Sequence, residues 1–406
     1  MNRRTLSKLL ALTPLAPSAR EYTQSQQPHI LVVGAGLIGA SIAYHLSFAG
    51  AKVTVIDKQG PASHASLGTF GWINASYAKQ PQHYHSLSQQ SVQAWHQLQQ
   101  QLNIPVKWGG SLEWFNGETR QQELIGQITE QQQWGEAASI ISAAQAGELE
   151  PHSDFTGAND IAFSGNDGAV DPVLATRKLL QASKAMGAEL IYPSELIDTS
   201  HGGTRLITAQ TTTERIQTDK IVLATGAAIK IVKKIAKIDI PQRSAPGAIV
   251  ITAPLPPILH RVIVAPGVHI HQRLDGRIVL GEQTGPPKND AHNERLTTRA
   301  NQFPSKEISD QHGQRILDIA IKYLPALRNA EIEHVHIGWR PLPLDGHPVL
   351  GYSQSRDGVY LAIMHSGVTL APIVGRLVAQ EIISKKLFKQ LKNYRLYRAF
   401  HYVKHY

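Results

Sequence analysis

The sequence predicts a mixed fold of the α/β (α+β) class, in which a discontinuous Rossmann-like domain is combined with an antiparallel-sheet domain. Three observations lead to this prediction. Near the N-terminus, a glycine-rich turn separates a short apolar strand from a helix. A second buried strand, which breaks on Thr-Gly, follows much later at 220–227, and short strand-like runs with turn signals lie at 108–115 and 247–281. This order favours one parallel sheet that is interrupted by a second sheet.

The first motif is the stretch from His29 to Asp57. Residues 29–33 read as a buried strand, and apolar residues recur at helical spacing over 37–48. The turn between them is Gly34-Ala35-Gly36-Leu37-Ile38-Gly39. In this context the first glycine allows the tight turn, the second lets a pyrophosphate approach the backbone, and the third permits close packing of helix on strand. Asp57 ends the next strand, where an acid accepts hydrogen bonds from the adenosine ribose. The stretch therefore predicts a dinucleotide site, and a glycine-rich turn without a ligand is the alternative.

The composition is that of a globular protein. The chain has 406 residues, of which 42% are hydrophobic and 17% charged, and its formal net charge is +9. These values exclude a disordered chain, and the length allows two domains. No apolar run approaches the roughly 18 to 20 residues that a bilayer span needs. The sequence has no cysteine, which excludes disulfides, Cys-ligated zinc, iron–sulfur clusters and thiol chemistry.

The first residues are typical of a secretory leader. Arg3, Arg4 and Lys8 precede a short apolar run at 9–16, and small residues follow to Ala19. The paired arginines resemble the twin-arginine class, which predicts a periplasmic location. A frayed basic tail on a cytoplasmic protein is the alternative.

The C-terminal residues 385–405 alternate Lys and Arg with Leu, Phe and Tyr. Such a basic, aromatic tail could make a peripheral contact with a membrane surface. A solvated helix end is the alternative that the composition favours. No nucleic-acid-binding module is recognisable, so no nucleic-acid partner is expected, and nothing in the sequence indicates the oligomeric state.

Later motifs distinguish FAD from NAD, because the glycine turn reads only the adenosine half that both share. In chain order they are ASLG at 65–68, GAVDP at 168–172, IVLATGA at 221–227, GWRPLPLDGHPVLG at 338–351 and HSGVTLAP at 365–372. Together with the glycine turn, this ordered set resembles the D-amino-acid oxidase family of FAD enzymes, and within it the glycine-oxidase and D-amino-acid dehydrogenase branch. The resemblance covers about residues 28–390. No second GxGxxG is present, whereas an enzyme reduced by a bound nicotinamide would usually have a second nucleotide-binding fold.

The resemblance implies a set of FAD-binding residues. Besides the six residues of the glycine turn, the set contains Asp57, Lys58, Ala65, Ser66, Gly68, Leu196, Ala224, Thr225, Gly226, His365, Gly367, Val368 and Thr369. The small residues at 65–68 would cover the pyrophosphate and the flavin, and the backbone of Leu196 would pair with adenine. Residues 367–369 would aim a helix N-terminus at the flavin pyrimidine, which becomes anionic on reduction. His365 would lie near the flavin, or would instead cap the following helix.

The resemblance also implies how a substrate is held. Arg340 matches the position at which glycine-oxidase-like members bind the carboxylate of an amino acid, a bidentate role that suits a guanidinium. Pairing of Arg340 with a nearby acid such as Asp345 is the alternative. His269 lies where relatives often present an aromatic residue that lines the substrate, so the side-chain preference of this chain stays open.

Two pairs of histidines have the same spacing. His269 and His271 lie in a predicted hairpin that turns at 275–276, and His334 and His336 form the second pair. Alternation along a strand places each pair on one face. A metal cluster is conceivable, but scattered polar residues are the interpretation that we favour, and no metal site is predicted.

The implied activity is FAD-dependent oxidation of a small amino acid, namely a D-amino acid, glycine or an N-methyl amino acid. Hydride transfer to flavin N5 would give an imine, which water hydrolyses to a keto acid and ammonia or an amine. No side-chain base is assigned, because an amine that binds neutral needs none. The FAD is expected to be non-covalent, since cysteine is absent and His64 is not in a recognised linkage context. The electron acceptor is left open between dioxygen and a quinone. An NAD-dependent dehydrogenase and a non-catalytic flavin-binding assembly factor are the alternatives.

The motifs also predict the division of the chain. Residues 1–27 form the leader, and 393–406 the basic tail. The FAD-binding domain comprises 28–90, 150–243 and 335–392. The substrate domain comprises 91–149 and 244–334.

Overall fold

A computed structural model describes residues 27–76, 79–201, 207–282, 301 and 303–402. The predicted leader therefore lies outside the described residues, apart from its last residue, and export stays a prediction. The strands are β1 His29–Val33, β2 Lys52–Ile56, β3 Trp72–Ile73, β4 Val106–Trp108, β5 Ser111–Glu113, β6 Ala138–Ile141, β7 Ile161–Ser164, β8 Gly168–Val170, β9 Glu189–Ile191, β10 Leu196–His201, β11 Ile207–Thr211, β12 Arg215–Thr218, β13 Lys220–Leu223, β14 Gln242–Pro254, β15 Val262–Ala265, β16 Val268–Gln272, β17 Arg277–Glu282, β18 Ile332–Pro343, β19 Val349–Tyr352 and β20 Val359–Ile363. The α-helices are α1 Leu37–Phe48, α2 Gln82–Leu102, α3 Glu118–Gln133, α4 Ala143–Leu149, α5 Pro172–Ala185, α6 Ile229–Ala236, α7 Lys306–Ile321 and α8 Gly367–Ser384, and 3₁₀ turns occupy Pro325–Asn329 and Lys389–Tyr394.

The first sheet has six strands in the order β19-β20-β13-β1-β2-β9. All neighbours are parallel except β19 and β20. The last residue of β1, Val33, lies beside Ile56 of β2 and Leu223 of β13. The turn after β1 therefore lies at the carboxyl edge between two strands whose connections run to opposite sides, which is where open α/β sheets bind ligands.

Helices cover one face of this sheet, and a small sheet lies on the other side. Helices α1, α2, α5 and α8 share one core with the sheet, which fully buries Trp95 and Tyr84. The antiparallel sheet β10-β11-β12 and helix α6 pack against the other face around Leu31, Leu223 and Ile235. Burial on both faces explains why β1 and β13 read as continuous apolar runs rather than as alternating strands.

The second large sheet has eight strands in the order β18-β14-β17-β16-β15-β5-β7-β6, and a three-stranded sheet, β3-β8-β4, packs against it around Trp72 and Val264. All neighbours in the eight-stranded sheet are antiparallel except β15 and β5. The predicted hairpin is present, because β16 pairs with β17 through a turn in which Gly276 has a φ of +87°. Helix α7 packs over this sheet and buries Ile316 and Leu317 in its core.

The sheets cross the predicted domain boundaries at several places, and two of them involve the eight-stranded sheet. Strand β7, within the predicted FAD segment 150–243, belongs to the eight-stranded sheet, and so does β18, which extends past the predicted boundary at 335. The reason lies in pairing: β7 bonds to β5 and β6, and β18 pairs with β14 along almost its whole length. Such long-range partners leave no mark on the local sequence pattern.

Helix α8 begins inside the motif HSGVTLAP. It starts at Gly367 and contains Pro372 in its first turns. By length and composition alone, this helix could cross a membrane, contrary to the expectation from apolar runs. However, 72% of its apolar window is buried inside the molecule, where it packs against α1 and α2.

The first part of the predicted basic tail is docked on the protein rather than solvated. Tyr394 and Leu396 are buried. Arg395 forms an ion pair with Glu381, and Arg398 forms one with Asp345. The membrane contact of this tail stays a prediction.

Candidate functional site

A cavity of about 650 Å³ opens at the carboxyl edge of the six-stranded sheet. Its walls come from both large sheets: the ends of β1, β2 and β13 contribute from one side, and β14, β16 and β18 contribute from the other. A cavity of this kind at a topological switch point is the usual place for a nucleotide cofactor and its substrate.

Two glycines of the turn lie at positions that have no room for a side chain. Gly34 has a φ of +109°, and a Cβ added there would lie 2.4 Å from the carbonyl oxygen of Ala224. A Cβ on Gly39 would lie 1.8 Å from the carbonyl oxygen of Gly34. Only glycine fits either position, so the helix begins directly against the end of the strand.

Asp57 organises the loop next to this turn. Its Oδ2 accepts a hydrogen bond from the Ala35 N–H at 2.9 Å, and its Oδ1 accepts from the N–H groups of Gln59 and Gly60, both at 2.9 Å. A carboxylate has about four accepting positions, so Asp57 can support the turn and still accept from a ribose hydroxyl.

Helices α1 and α8 both begin at the cavity, and neither is capped by the side chain of its N-cap residue. Helix α1 starts after Gly36, and α8 starts after Ser366. At α1 the N–H of Leu37 donates to Ser66 Oγ at 3.0 Å, which holds the 65–68 loop over the helix start. Helix N-termini carry partial positive charge and free N–H groups, so they stabilise anionic groups such as phosphates.

Hydrogen bonds from helix α2 and from the segment after β3 hold the first residues of α8 in place. The carbonyl oxygen of Val368 accepts from Trp95 Nε1 at 2.9 Å, and that of Thr369 accepts from Ser91 Oγ at 2.6 Å. Thr369 Oγ1 accepts from the Asn74 N–H at 3.2 Å. The N-cap residue of this helix is Ser366, in the left-handed region with a φ of 51°, and His365 lies one residue before it. The N-cap position is therefore filled by Ser366 and not by His365.

The structure brings most of the predicted residues together. The predicted residues that line the cavity are Gly34, Gly36, Leu37, Ile38, Asp57, Lys58, Ala65, Ser66, Gly68, Leu196, Ala224, Thr225, Gly226, His269, Arg340, His365, Gly367, Val368 and Thr369. Ala35 and Gly39 are not on the cavity wall. Ala35 lies behind the turn, where its N–H supports Asp57, and Gly39 packs against the strand end.

These residues fit a flavin dinucleotide. A Cβ on Gly226 would meet nothing within 4 Å, and the buried hydroxyl of Thr225 has no hydrogen-bond partner among the described residues. The turn and the α1 N-terminus suit the adenosine and pyrophosphate, and the α8 N-terminus suits the flavin pyrimidine.

Arg340 lies on the part of the cavity wall that β18 contributes. Its Nη2 donates to the Pro246 carbonyl oxygen at 3.3 Å, and its guanidinium lies over Gly247, where an added Cβ would be 3.5 Å from Nε. Asp345, the acid considered as its partner, is instead held by Arg398, which donates from Nε at 2.6 Å and from Nη2 at 3.0 Å.

Two imidazoles beside Arg340 are held neutral. Burial, followed by the charge of Arg340, lowers the pKa of His269 to about 4. Burial, followed by the charges of Arg340 and Lys79, lowers the pKa of His365 to about 3. At neutral pH the positive charge in this region therefore resides on the guanidinium and the ammonium, and the imidazoles can act only through neutral hydrogen bonds.

The other predicted histidines have different surroundings. His271 Nε2 lies 2.6 Å from the Phe70 carbonyl oxygen, and burial lowers the pKa of this imidazole to about 3. His334 and His336 stack on each other with ring centroids 5.4 Å apart. His64 lines the cavity, and its Nδ1 lies 2.5 Å from Asn301 Nδ2. Among the described residues, no group of three or more potential ligands could hold a metal ion.

Among the residues of the cavity wall that sequence reasoning missed are two aromatic residues and a lysine. Phe70 and Trp72 pack edge-on against His269, with ring centroids 5.4 and 6.1 Å away. Lys79 follows them in the chain and is buried. The only signal in the sequence was the aromatic content of GTFGWIN, which overlaps the end of the motif ASLG at 65–68. For Lys79 there was none, because its approach to the cavity depends on tertiary packing.

Comparisons with known proteins agree with this geometry. The family model described as DAO, FAD dependent oxidoreductase, matches residues 29–381. Glycine oxidase from Bacillus licheniformis is 25% identical over 368 residues, which are 87% of this chain and 92% of that protein. Glycine oxidase from Pseudomonas aeruginosa is 24% identical over 365 residues, which are 86% and 93% of the two chains.

A solved structure shows the same fold. The crystal structure of glycine oxidase from Geobacillus kaustophilus superimposes with a TM-score of 0.80 at 22% identity, and covers 92% of this chain and 100% of that one. This likeness confirms the predicted fold class. The family match, which spans most of the chain, removes both the NAD-dependent and the non-catalytic alternatives. The chain belongs to the DAO family of FAD-dependent oxidoreductases.

Proposed function

We propose that this oxidoreductase oxidises the CH–NH bond of a small amino acid: a D-amino acid, glycine or an N-methyl amino acid. The observation that carries the proposal is the position of Arg340. Its guanidinium lies on the wall of the cavity that the glycine turn and the α8 N-terminus also line, while the nearest acid in its sequence, Asp345, is bound by Arg398. A planar guanidinium with a small-molecule cavity in front of it suits a carboxylate.

In this proposal the residues of the chain position the substrate. Arg340 holds the carboxylate, which fixes the Cα and its hydrogen relative to the cofactor. The neutral rings of His269 and His365 can hydrogen-bond the amine without adding charge. Bound FAD supplies the acceptor for the hydride that leaves Cα. The nitrogen loses its proton as the C=N bond forms, and water then hydrolyses the imine to a keto acid and ammonia or an amine.

The relatives support the same class of substrate. Proteins named glycine oxidase, from two bacteria, align with this chain along nearly their whole length. Glycine carries its amine and its carboxylate on one carbon, which is the arrangement that a guanidinium beside a redox cofactor would hold.

The direct experiment is anaerobic mixing of the purified, FAD-loaded protein with a panel of amino acids. The panel contains D- and L-amino acids, glycine and N-methyl amino acids. We expect at least one of them to bleach the flavin absorption. A panel that leaves the flavin oxidised throughout would contradict the proposal. Admitting air or a soluble quinone analogue to the bleached protein then distinguishes an oxidase from a dehydrogenase by the rate of reoxidation.

Substitution of Arg340 tests the carboxylate assignment. Arg340→Ala should lower kcat/KM by about 100-fold or more, because a charge-assisted bidentate contact is lost, while the FAD content stays unchanged. Arg328→Ala removes an exposed arginine and serves as the matched control, with unchanged kinetics. Unaltered turnover in Arg340→Ala would show that another group holds the carboxylate.

A further inference from the structure

Lys79 is a second cation on the wall of the same cavity. Its side chain is buried, with 3% of the residue exposed, yet it lines the cavity together with Arg340. Burial lowers its pKa to about 8, while the charge of Asp167 acts in the opposite direction. The ammonium is therefore mainly charged at neutral pH, and a charge inside a protein needs partners.

The partners within the protein are few. Among the described residues, Lys79 Nζ donates a hydrogen bond to Ser366 Oγ at 3.4 Å. The same atom lies 5.3 Å from the ring centroid of Tyr84. An ammonium has three N–H donors, so one long hydrogen bond and one ring contact leave most of its capacity unused.

Asp167 is not positioned to fill this need. Its Oδ2 accepts hydrogen bonds from Trp72 Nε1 at 3.0 Å, from Ser76 Oγ at 3.2 Å and from Ser111 Oγ at 2.7 Å, and its Oδ1 accepts from the Ala75 N–H at 3.2 Å. Three of these donors share Oδ2 and one uses Oδ1, and within the described part of the chain no hydrogen bond joins Lys79 to this carboxylate. Asp167 thus affects Lys79 through its charge, while its hydrogen bonds go elsewhere.

Of the carboxylates on the described part of the cavity wall, those of Asp57 and Glu282 have partners of their own, and Glu195 lies in the segment next to Asp57. Asp57 supports the glycine turn, and the segment 194–196 lies next to it, since the Ser194 N–H donates to the Asp57 carbonyl oxygen. Glu282 pairs with Arg315 and lies 3.6 Å from His312. Lys79 donates to Ser366, the residue that follows the buried His365, and His365 and Arg340 lie on the same cavity wall. Both cations also act on the pKa of His365, so they occupy the same end of the cavity.

We propose that Arg340 and Lys79 bind two different acidic groups of one ligand, so that the preferred substrate is a small dicarboxylic amino acid. The second carboxylate is carried by the side chain or by a substituent on the nitrogen. Arg340 takes the carboxylate next to the reacting Cα, and Lys79 takes the other one. The inference rests on the proposed function for the identity of the reaction, but the binding of two acidic groups can be measured without any turnover.

The test uses non-reacting acids and the FAD-loaded protein. Each ligand pair has the same number of carbons: propionate with malonate, butyrate with succinate, and valerate with glutarate. Dissociation constants are measured from the change in the flavin absorption spectrum and, independently, by calorimetry. We expect at least one dicarboxylate to bind about 10-fold or more tightly than its monocarboxylate partner, which corresponds to one charge-assisted hydrogen bond.

Variants assign that preference to Lys79. Lys79→Met keeps the length and apolar body of the side chain and should abolish the preference for the dicarboxylate, while monocarboxylate binding changes by about 2-fold or less. Lys79→Arg should retain part of the preference. Lys107→Met is the matched control, because Lys107 is a partly buried lysine that donates to the Leu259 carbonyl oxygen away from the cavity.

Two results would overturn the inference. One is equal binding of dicarboxylates and monocarboxylates by the unmodified protein, which does not depend on whether any variant folds. The other is an equal loss of both ligand types in Lys79→Met, which would place Lys79 and Arg340 on a single carboxylate. A dicarboxylate preference without bleaching by any amino acid would support the binding of two acidic groups by Arg340 and Lys79, and would contradict the proposed function.

Turnover then distinguishes the two positions of the second carboxylate. Aspartate is compared with alanine for a side-chain carboxylate, and iminodiacetate with N-methylglycine for a carboxylate on the nitrogen substituent. The position is identified by the pair in which the diacid has a higher kcat/KM than its monoacid. Lys79→Met should reduce this ratio by about 10-fold.

Discussion

The absence of a side chain at Gly39 allows helix α1 to begin in close contact with the turn that follows strand β1. Gly39 lies one turn into α1, and the position of its missing Cβ is 1.8 Å from the Gly34 carbonyl oxygen and 3.4 Å from the Ala224 side chain. A side chain at this position would have to displace the Gly34 backbone in the turn after β1. The shape of the turn therefore depends in part on Gly39, a residue that does not line the cavity.

Gly39→Ala tests this packing. We expect it to lower the free energy of unfolding by about 3 kcal/mol or more, since the clash is with backbone, and to reduce FAD content. Gly126→Ala is the control, because a Cβ added to Gly126 in α3 would meet nothing within 4 Å, and this variant should gain about 0.5 to 1 kcal/mol from helix propensity. Chemical denaturation and flavin absorption measure both effects, and equal stabilities of the two variants would contradict the packing argument.

At the scale of elements, helix α8 connects the cofactor site to the C-terminal segment. Its start borders the cavity, and near its end Glu381 is buried. The Glu381 carboxylate accepts from Arg395 Nη1 at 2.9 Å, from Tyr360 OH at 2.7 Å and from the Phe388 N–H at 2.7 Å. One carboxylate thus joins the helix, strand β20 and the 3₁₀ segment that follows.

Removal of Arg395 alone should lower the free energy of unfolding more than removal of both charges of the Arg395–Glu381 pair. Arg395→Met leaves a buried carboxylate without its counter-charge and should destabilise the protein by about 3 to 5 kcal/mol. The double variant Arg395→Met with Glu381→Gln should recover a large part of that loss. Urea denaturation of both single variants and the double variant provides the coupling energy. Additive effects would mean that the pair is not a coupled unit.

At the scale of the whole molecule, a buried carboxyl links stability to pH. Glu113 lies on β5 and is buried, and burial, opposed by the charge of Arg120, raises its pKa to about 8 from an ordinary value of 4.5. The folded protein therefore keeps this proton to higher pH than the unfolded chain. The associated stability is complete below pH 4.5 and is lost as the pH rises to about 8.

Glu113→Gln should remove this dependence. The variant is expected to match the parent near pH 4.5 and to exceed its stability at pH 8 and above by on the order of a few kcal/mol, because no ionised carboxylate has to be buried. Glu148→Gln, at an exposed residue of α4, should differ from the parent by less than about 0.5 kcal/mol at either pH. Denaturation curves across this range test the prediction, and a difference that shrinks with rising pH would have the wrong sign.

The sequence by itself determined the features that local chemistry encodes. The glycine turn, Asp57 at the end of the next strand, the buried strand that breaks on Thr-Gly and the hairpin turning at Gly276 can be read from spacing and residue type. The ordered motifs then identify the family. These signals are local because a left-handed glycine, a helical period or a strand end depends on a few neighbouring residues.

Only the tertiary structure decided which distant groups meet. It placed β7 in the eight-stranded sheet, bound Asp345 to Arg398 instead of Arg340, docked the C-terminal residues, and put Lys79 on the cavity wall. Each of these depends on long-range packing, in which burial and charge pairing are set by segments far apart in the chain. A lysine reads as a solvated surface residue until the fold buries it beside the place where an acid would bind.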